Sequence, residues 1–350
     1  MSIEIWYFPE GATKFDLARL LASLGYKKGK NLFFPGPKGT IHFFWSQAED
    51  FKSTSGVDAS IFPINDEGKR VWKTNAEWGL RTRTSIWASS FDKEYQNLTV
   101  RQARREFGGK FYNDSYGINR YTVIHKEPST PASRGVFAAY TLAIGELDQL
   151  EYALPQDMIE VLATPRAEYT ASNDPKNLFE VAQRFDPSRT IYNALIPFLV
   201  SALEYFFRET FEILLKYDNK AKAKLLLQNR KITISEAVSL AAKEQSLEDI
   251  VAKGYNFQNI DSIHKAFLEL FEIDFWQVIR RRKKVRDKLP LLSEALNNLI
   301  TARHGVVHHF TVDRQLNRER FLTLAHTVKA IIKVFAGEVE KKLGVALGPG

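Results

Sequence analysis

The spacing of apolar residues divides the chain into a first half rich in strand signals and a second half of helical signals. In the first half, residues 3–8 are rich in β-forming side chains, whereas apolar residues in 14–24 recur at helical spacing. A second helix is predicted over 92–107, where Gly108 ends it. Further strands are predicted over 31–35 and 40–45 (as a hairpin), 59–64, 84–88, 120–124, 135–142 and 158–162. The pattern therefore predicts an α+β domain over residues 1–165.

The second half reads as a succession of helices with short breaks. Residues 164–190 are polar and contain three prolines, which predicts a linker region over 166–189. Helices are then predicted over 197–217, 234–243, 247–253, 262–271, 290–303 and 317–342. Ser246, with Asp249 three residues later, is a predicted N-terminal cap. We therefore expect an all-α bundle over 190–345.

Composition limits the chemistry that is available. The 350 residues are 44% hydrophobic and contain no cysteine, which excludes disulfides, thiolate metal sites and cysteine nucleophiles. The N-terminal segment lacks the pattern of a signal peptide. The most apolar window, 194–207, is interrupted by Pro197, Ser201 and Glu204, so no membrane span is predicted. The expectation is a cytoplasmic protein that does not associate with membranes.

The net charge of +8 is confined to one half of the chain. Residues 1–187 contain 23 basic and 23 acidic residues, whereas residues 188–350 contain 26 and 18. A basic domain attracts polyanions such as nucleic acid, although the same charge also serves ordinary solubility. The densest basic run is Arg280-Arg281-Arg282-Lys283-Lys284-Val285-Arg286-Asp287-Lys288. It is either an RNA-binding element or a solvated loop.

One short motif carries candidate chemistry, at the end of the helix predicted over 290–303. Arg303 follows Leu299 by four residues and therefore extends the apolar face of that helix. A charged residue in that position needs a partner or a function. Gly305 is predicted to end the helix, so that His308 folds back towards Arg303 from a loop.

This segment resembles the ribonuclease motif of the HEPN superfamily, Arg-x4-6-His, which lies before a long final helix. The chain reads Arg303-His304-Gly305-Val306-Val307-His308, at the shortest spacing. The resemblance covers roughly residues 190–343 and implies an endoribonuclease that forms homodimers, with both motifs in one cleft. It further implies a toxin or an abortive anti-phage effector, with an antitoxin or regulatory partner. In a toxin subgroup the second residue after the histidine is a modifiable tyrosine, but here that position is Phe310.

The side chains suit RNA cleavage without a metal or a cofactor. Histidine ordinarily titrates near neutral pH and can take the 2′-OH proton. Arginine places fixed charge on the developing phosphorane. We expect His308 to act as general base or acid and Arg303 to act as phosphate clamp. His304 and His309 are either helpers or structural residues. The alternative is that the histidines cap a helix and Arg303 forms an internal ion pair.

Two other functions stay open at this stage. The C-terminal domain could be a catalytically silent HEPN scaffold that binds RNA or protein. Separately, residues 148–155, with Gln149 and Glu151, resemble the Gln-x-Glu turn of ADP-ribosyltransferases, with a strand to follow at 158–162. Such an enzyme would use NAD in the N-terminal domain. That domain is otherwise expected to regulate activity or to sense RNA or a ligand.

Overall fold

The computed structural model describes residues 2–30, 35–155, 187–228 and 231–350. The chain forms two compact units. The first comprises Met1–Arg134 together with Leu347–Gly350, and the second comprises Gly135–Ala346. The predicted linker at 166–189 lies outside the described residues except for its last three positions, which begin a helix. The strand predicted over 158–162 also lies outside them, as does the predicted domain boundary at residue 165.

The first unit contains a seven-stranded sheet in which every neighbouring pair is antiparallel. The strands are β1 (Ser2–Phe8), β2 (Lys27–Gly29), β3 (Ile41–Trp45), β4 (Val57–Pro63), β5 (Trp78–Ser85), β6 (Lys110–Asn113) and β7 (Gly117–Ile118). Their order across the sheet is β2-β3-β4-β5-β1-β6-β7. Burial alternates along β1, as expected for a strand with one face against a core.

Three helices accompany this sheet: α1 (Lys14–Ser23), α2 (Asp66–Trp72) and α3 (Ser90–Phe107). The main core joins α1 and α3 to the central strands through residues such as Leu17, Val100 and Ile5. A smaller cluster contains Phe8 and Phe62. The prediction of an α+β domain is therefore confirmed.

Some of the predicted strands are wrong in detail. Residues 120–124 form no strand, and β5 ends at Ser85, so the predicted strand over 84–88 is mostly a turn. The predicted hairpin partner of β3 falls partly on residues 31–34, which lie outside the described residues, and the observed partner is β2. Gly108 does cap α3, with φ 64°, as predicted.

The second unit is helical. Its helices are α4 (Pro131–Tyr152, in this unit from Gly135 onward), α5 (Pro187–Tyr217), α6 (Asn219–Leu227), α7 (Ile234–Ala241), α8 (Leu247–Lys253), α9 (Ile260–Phe271), α10 (Phe275–Ile279), α11 (Leu292–His309) and α12 (Arg318–Leu343). The predicted bundle is confirmed. The capping box between Ser246 and Asp249 is present at the start of α8, and Asn317 caps α12.

Helix α5 is the centre of this unit, because α8, α11 and α12 all pack against it. Fully buried phenylalanines form its core, and the rings of Phe207 and Phe335 meet edge to face with centroids 5.1 Å apart. By length and hydropathy, α5 alone among the described helices could cross a membrane. It is longer than the sequence pattern predicted, and it continues through Pro197. Its packing against three helices accounts for its apolar character.

Helix α4 overturns two predictions. Residues 135–142, predicted as a strand, are helical, and the predicted turn around Gln149 is the last part of the same helix. Glu151 faces α12, where its carboxylate lies 2.7 Å from Lys329 Nζ and 3.1 Å from His326 Nε2. In the structure Glu151 therefore belongs to an ion-pair network with α12. The turn that the resemblance to transferases requires is absent from this described segment.

Candidate functional site

The motif lies entirely within helix α11, which corrects the predicted turn at Gly305. The helix continues past Gly305 to His309 and ends at Phe310, which has the left-handed values φ 53° and ψ 33°. The Gly305 carbonyl accepts the N–H of Phe310, and that of Thr311 at 3.0 Å, so it closes the final turn. Glycine inside a helix costs only about 1 kcal/mol relative to alanine, which tertiary packing can offset. Consequently His308 is a helical residue and does not fold back from a loop.

Three histidines lie together at the exposed end of α11. The ring centroids of His304 and His308, one helical turn apart, are separated by 4.6 Å. The ring of His309 lies 5.3 Å from that of His304. All three side chains are exposed to solvent. Helical spacing therefore brings the three imidazoles together, and they are accessible to solvent.

Arg303 lies on a different side of the same helix. It continues the stripe formed by the buried residues Leu292, Leu296 and Leu299, as its spacing predicted. Its side chain is half-buried, and within the described part of the chain it forms no hydrogen bond or ion pair. Five residues along an α-helix correspond to a rotation of about 140°, so Arg303 and His308 point in different directions. The structure therefore does not bring these two side chains together within one chain.

The segment that follows the motif is fixed to α5 by Asn193. The side-chain amide of this buried residue donates to the Asp313 carbonyl at 2.9 Å and accepts from the Asp313 N–H at 2.8 Å. Because one side chain satisfies both backbone groups of Asp313, the path of the chain after α11 is well defined.

A cavity of about 590 Å³ lies beside the motif helix. Residues of α5, α11 and α12 line it, together with the segment after the motif and Lys288. From α11 it receives Thr301 and Gly305, which precede His308 by seven and three residues and therefore share its side of the helix. The opening thus adjoins the helix side that presents His308.

The basic run forms a hairpin-like loop between α10 and α11. Residues Val285 and Lys288 form paired backbone hydrogen bonds at 2.9 and 3.0 Å, and Arg282 is bridged to Leu291. Two arginines of the run form ion pairs with glutamates of α12: Arg281 binds Glu338 at 2.8 Å, and Arg286 binds Glu319 at 2.9 Å. The side chains of Lys283, Lys284 and Lys288 are exposed and have no partner in the described chain.

The remaining two arginines of the run have local partners. Arg280 lies over the ring of Trp276, with its guanidinium carbon 5.5 Å from the centroid, and Arg282 donates to the Leu289 carbonyl at 3.2 Å. The run is therefore partly structural, and its cations without a partner in the described chain are Lys283, Lys284 and Lys288. Within the described ranges, no group of three or more histidine or carboxylate side chains has the arrangement of a metal site.

Sequence reasoning missed two residues around the cavity, whereas Lys288 belongs to the predicted basic run. Asn193 is a polar residue on the buried side of an apolar helix, which is a signal for a buried hydrogen-bonding role. Arg320 carries no comparable signal, because its place in the cavity depends on the tertiary packing of α12.

Comparison with known proteins agrees with this architecture. The family model described as RiboL-PSP-HEPN matches residues 170–341, which include the motif and the long helix after it. The match leaves residues 1–169 outside. No curated protein and no solved structure matches the chain. The C-terminal part of this chain is therefore a HEPN domain, similar to the family described as RiboL-PSP-HEPN.

Proposed function

We propose that this protein is a metal-independent endoribonuclease whose reaction uses Arg303 and His308. HEPN domains are associated with RNA cleavage, although some members are inactive. The observation that carries the proposal is the exposed histidine cluster, in which His304 and His308 lie 4.6 Å apart beside an open cavity. Imidazoles buried for structural reasons would not be presented to solvent in this way.

The proposed reaction uses the RNA's own 2′-OH as nucleophile. His308 removes the 2′-OH proton, the 2′ oxygen attacks the adjacent phosphorus, and the bond from phosphorus to the 5′ oxygen breaks. The leaving 5′ oxygen takes up a proton, so the products are a 2′,3′-cyclic phosphate and a 5′-OH end. Arg303 stabilises the additional negative charge on the phosphoryl oxygens in the transition state. His304 is placed to assist proton transfer, and His309 is the third imidazole of the cluster.

We further propose a homodimer in which the motifs of two copies share one cleft. Arg303 and His308 point in different directions on α11, which fits a site completed by a second copy. The biological role proposed is that of a toxin or abortive anti-phage effector, kept inactive by an antitoxin or another regulatory partner. Because Phe310 has no hydroxyl, modification of a tyrosine at this position is not part of the proposal.

The test is cleavage of a labelled RNA by the full-length protein in excess EDTA. We expect His308→Ala and Arg303→Ala each to lower the rate by about 10² or more, since such groups typically contribute that much. The matched control is His326→Gln, a histidine that pairs with Glu151 away from the motif. A strand with deoxyribose at the cut site should resist cleavage. Cleavage of that strand, or loss of activity in EDTA, would contradict the mechanism.

The cellular role has a separate test. Induced expression of the wild-type chain should arrest growth, and Arg303→Ala or His308→Ala should restore it. RNA ends mapped after induction should be new and specific. Equal growth arrest by all three proteins would favour the alternative of a silent scaffold that acts by binding.

A further inference from the structure

The cavity beside α11 has the charge expected of a site for a phosphate-bearing ligand. Lys288 and Arg320 contribute two positive charges to its lining, and Asp313 contributes one negative charge. The Asp313 carboxylate accepts the Gln315 N–H at 2.8 Å and lies 3.8 Å from the Arg320 guanidinium. Since the single carboxylate already has these partners, the net charge of the lining favours an anion.

Four polar side chains in this lining have no hydrogen-bond partner in the described portion of the chain. They are Lys288 from the basic hairpin, Asn298 and Thr301 from α11, and Thr311 from the segment that follows α11. An amide and a hydroxyl can both donate and accept, as recognition of a ribose or a base edge requires. Lys288 is exposed and its ammonium can approach a phosphate as a point charge.

The cavity lies close to the residue that is proposed to carry out the reaction. Thr301 and Gly305 line the cavity and share one side of α11 with His308. Thr301 and His308 are separated by about two helical turns, or about 10 Å along the axis. This distance is less than two nucleotide spacings of an extended strand. An RNA strand whose scissile phosphate lies at His308 would therefore also pass the mouth of the cavity. The volume of about 590 Å³ lies within the usual range for sites that hold one small ligand.

We propose that this cavity binds one nucleotide of the RNA strand adjacent to the cut. Lys288 and Arg320 bind its phosphate, and Asn298 and Thr301 contact its ribose or base. This inference rests on the proposed function, because it identifies the substrate class and a second binding position for the same site. It assigns to Lys288 a role that differs from that of the neighbouring Lys284, which has similar exposure but does not line the cavity.

The experiment uses the full-length His308→Ala variant, so that RNA is bound without being cut. Adenosine 5′-monophosphate is titrated by calorimetry or NMR, with adenosine as the probe that lacks phosphate. Lys288→Glu should weaken binding of the monophosphate about tenfold or more, because a charged contact to a phosphate is lost. Thr301→Trp, which fills the cavity from an exposed helical position, should do the same. The monophosphate should displace a labelled RNA, followed by fluorescence anisotropy.

Lys284→Glu is the matched variant, since it makes the same change of charge in the same hairpin. A substantially smaller effect on the monophosphate than that of Lys288→Glu supports the proposal. Equal effects would mean that only net charge matters, and they would overturn it. Binding of the monophosphate without displacement of RNA would indicate a site for free nucleotides and would also overturn it. If the wild type fails to cut RNA, the proposed function fails, but the two binding measurements still decide the cavity's role.

Discussion

The side chain of Asn193 binds both backbone groups of Asp313, at 2.8 and 2.9 Å, and so joins helix α5 to the segment that follows the motif. Asn193→Ala would leave these groups without their partner in a partly buried place, at a cost of about 1 kcal/mol. We expect a lower urea midpoint and faster amide exchange at Asp313. Asn297→Ala, an exposed change on α11, is the control and should alter stability by less than about 0.5 kcal/mol. Equal effects of the two substitutions would show that the pairing is unimportant.

The left-handed cap at Phe310 predicts a stabilising substitution. A non-glycine residue with φ 53° is strained, and the phenyl ring is 91% exposed, so replacing it loses little burial. Phe310→Gly should therefore raise the free energy of unfolding by about 1 kcal/mol. Val307→Gly, inside the same helix, should lower it by a similar amount. Thermal unfolding of both variants at one protein concentration provides the measurement, and a less stable Phe310→Gly would contradict this account of the helix end.

A third prediction on stability concerns a pair of carboxyl groups. Burial raises the pKa of Glu212 to about 7, against the opposing effect of the Arg208 hydrogen bond at 3.0 Å, and proximity to Asp249 adds to the rise. The pKa of Asp249 is lowered, chiefly by its hydrogen bond with the Ser246 backbone. The protonated form of Glu212 can then donate to the Asp249 carboxylate.

The sign follows from the direction of that shift. A carboxyl group whose folded pKa exceeds its unfolded value stabilises the fold at low pH, and this contribution is lost as pH rises from about 4.5 through about 7. Glu212→Gln keeps a neutral donor at all pH values. It should raise stability at pH 8 by about 1–2 kcal/mol after allowance for partial solvation, and change it little at pH 4.5. Urea unfolding at both values is the measurement. A gain of equal size at both pH values would contradict this assignment.

The composite site can be tested by mixing two inactive proteins. If one cleft uses Arg303 from one copy and His308 from the other, a heterodimer of Arg303→Ala and His308→Ala contains one intact site. After denaturation and joint refolding, about a quarter of wild-type activity should return, because half of the dimers are mixed. Light scattering of the wild type should show a dimer at micromolar concentration. Activity that stays at the level of the separate variants would mean that each site uses one chain.

The salt dependence of RNA affinity should distinguish the contribution of two lysines of the basic hairpin from that of other surface charges. Replacing Lys283 and Lys284 by alanine should reduce the slope of log affinity for single-stranded RNA against log salt by about 1.4, since each phosphate contact contributes about 0.7. The control replaces Lys27 and Lys28, which are exposed in β2 of the first unit. That variant has the same net charge and should leave the slope nearly unchanged. Equal slopes for the two variants would contradict a role for the hairpin in RNA binding.

Local signals predicted much of this structure. The capping box at Ser246 and the helix cap at Gly108 were correct because each depends on residues within a few positions of one another. The helix end predicted at Gly305 is wrong because the tendency of glycine to end helices is weak against packing on neighbouring helices. The strand predicted over 135–142 is wrong because its residues belong to a longer helical pattern, which so short a segment does not reveal. Over a longer one, the buried residues Val136, Ala139, Ala143 and Leu147 recur at helical spacing.

The candidate site was predictable only in part. Arg303 and His308 could be selected because they lie five residues apart in one motif. Their directions depend on whether the helix continues, which the sequence signal at Gly305 did not reveal. The cavity could not be predicted, since it joins Asn193, Lys288 and Arg320, which lie far apart along the chain and meet only in the folded unit.

The contacts of Glu151 determine which fragments of this protein can fold by themselves. Because Glu151 and Asp148 pair with Lys329, and Tyr140 packs near Phe206, helix α4 is an integral layer of the helical unit. A fragment that starts at residue 170, where the family match begins, would remove that layer and expose an apolar surface on the helices beneath it. Fragments that start near residue 131 should be the shortest ones to express as stable, monodisperse protein, and they are the appropriate material for studying the HEPN domain by itself.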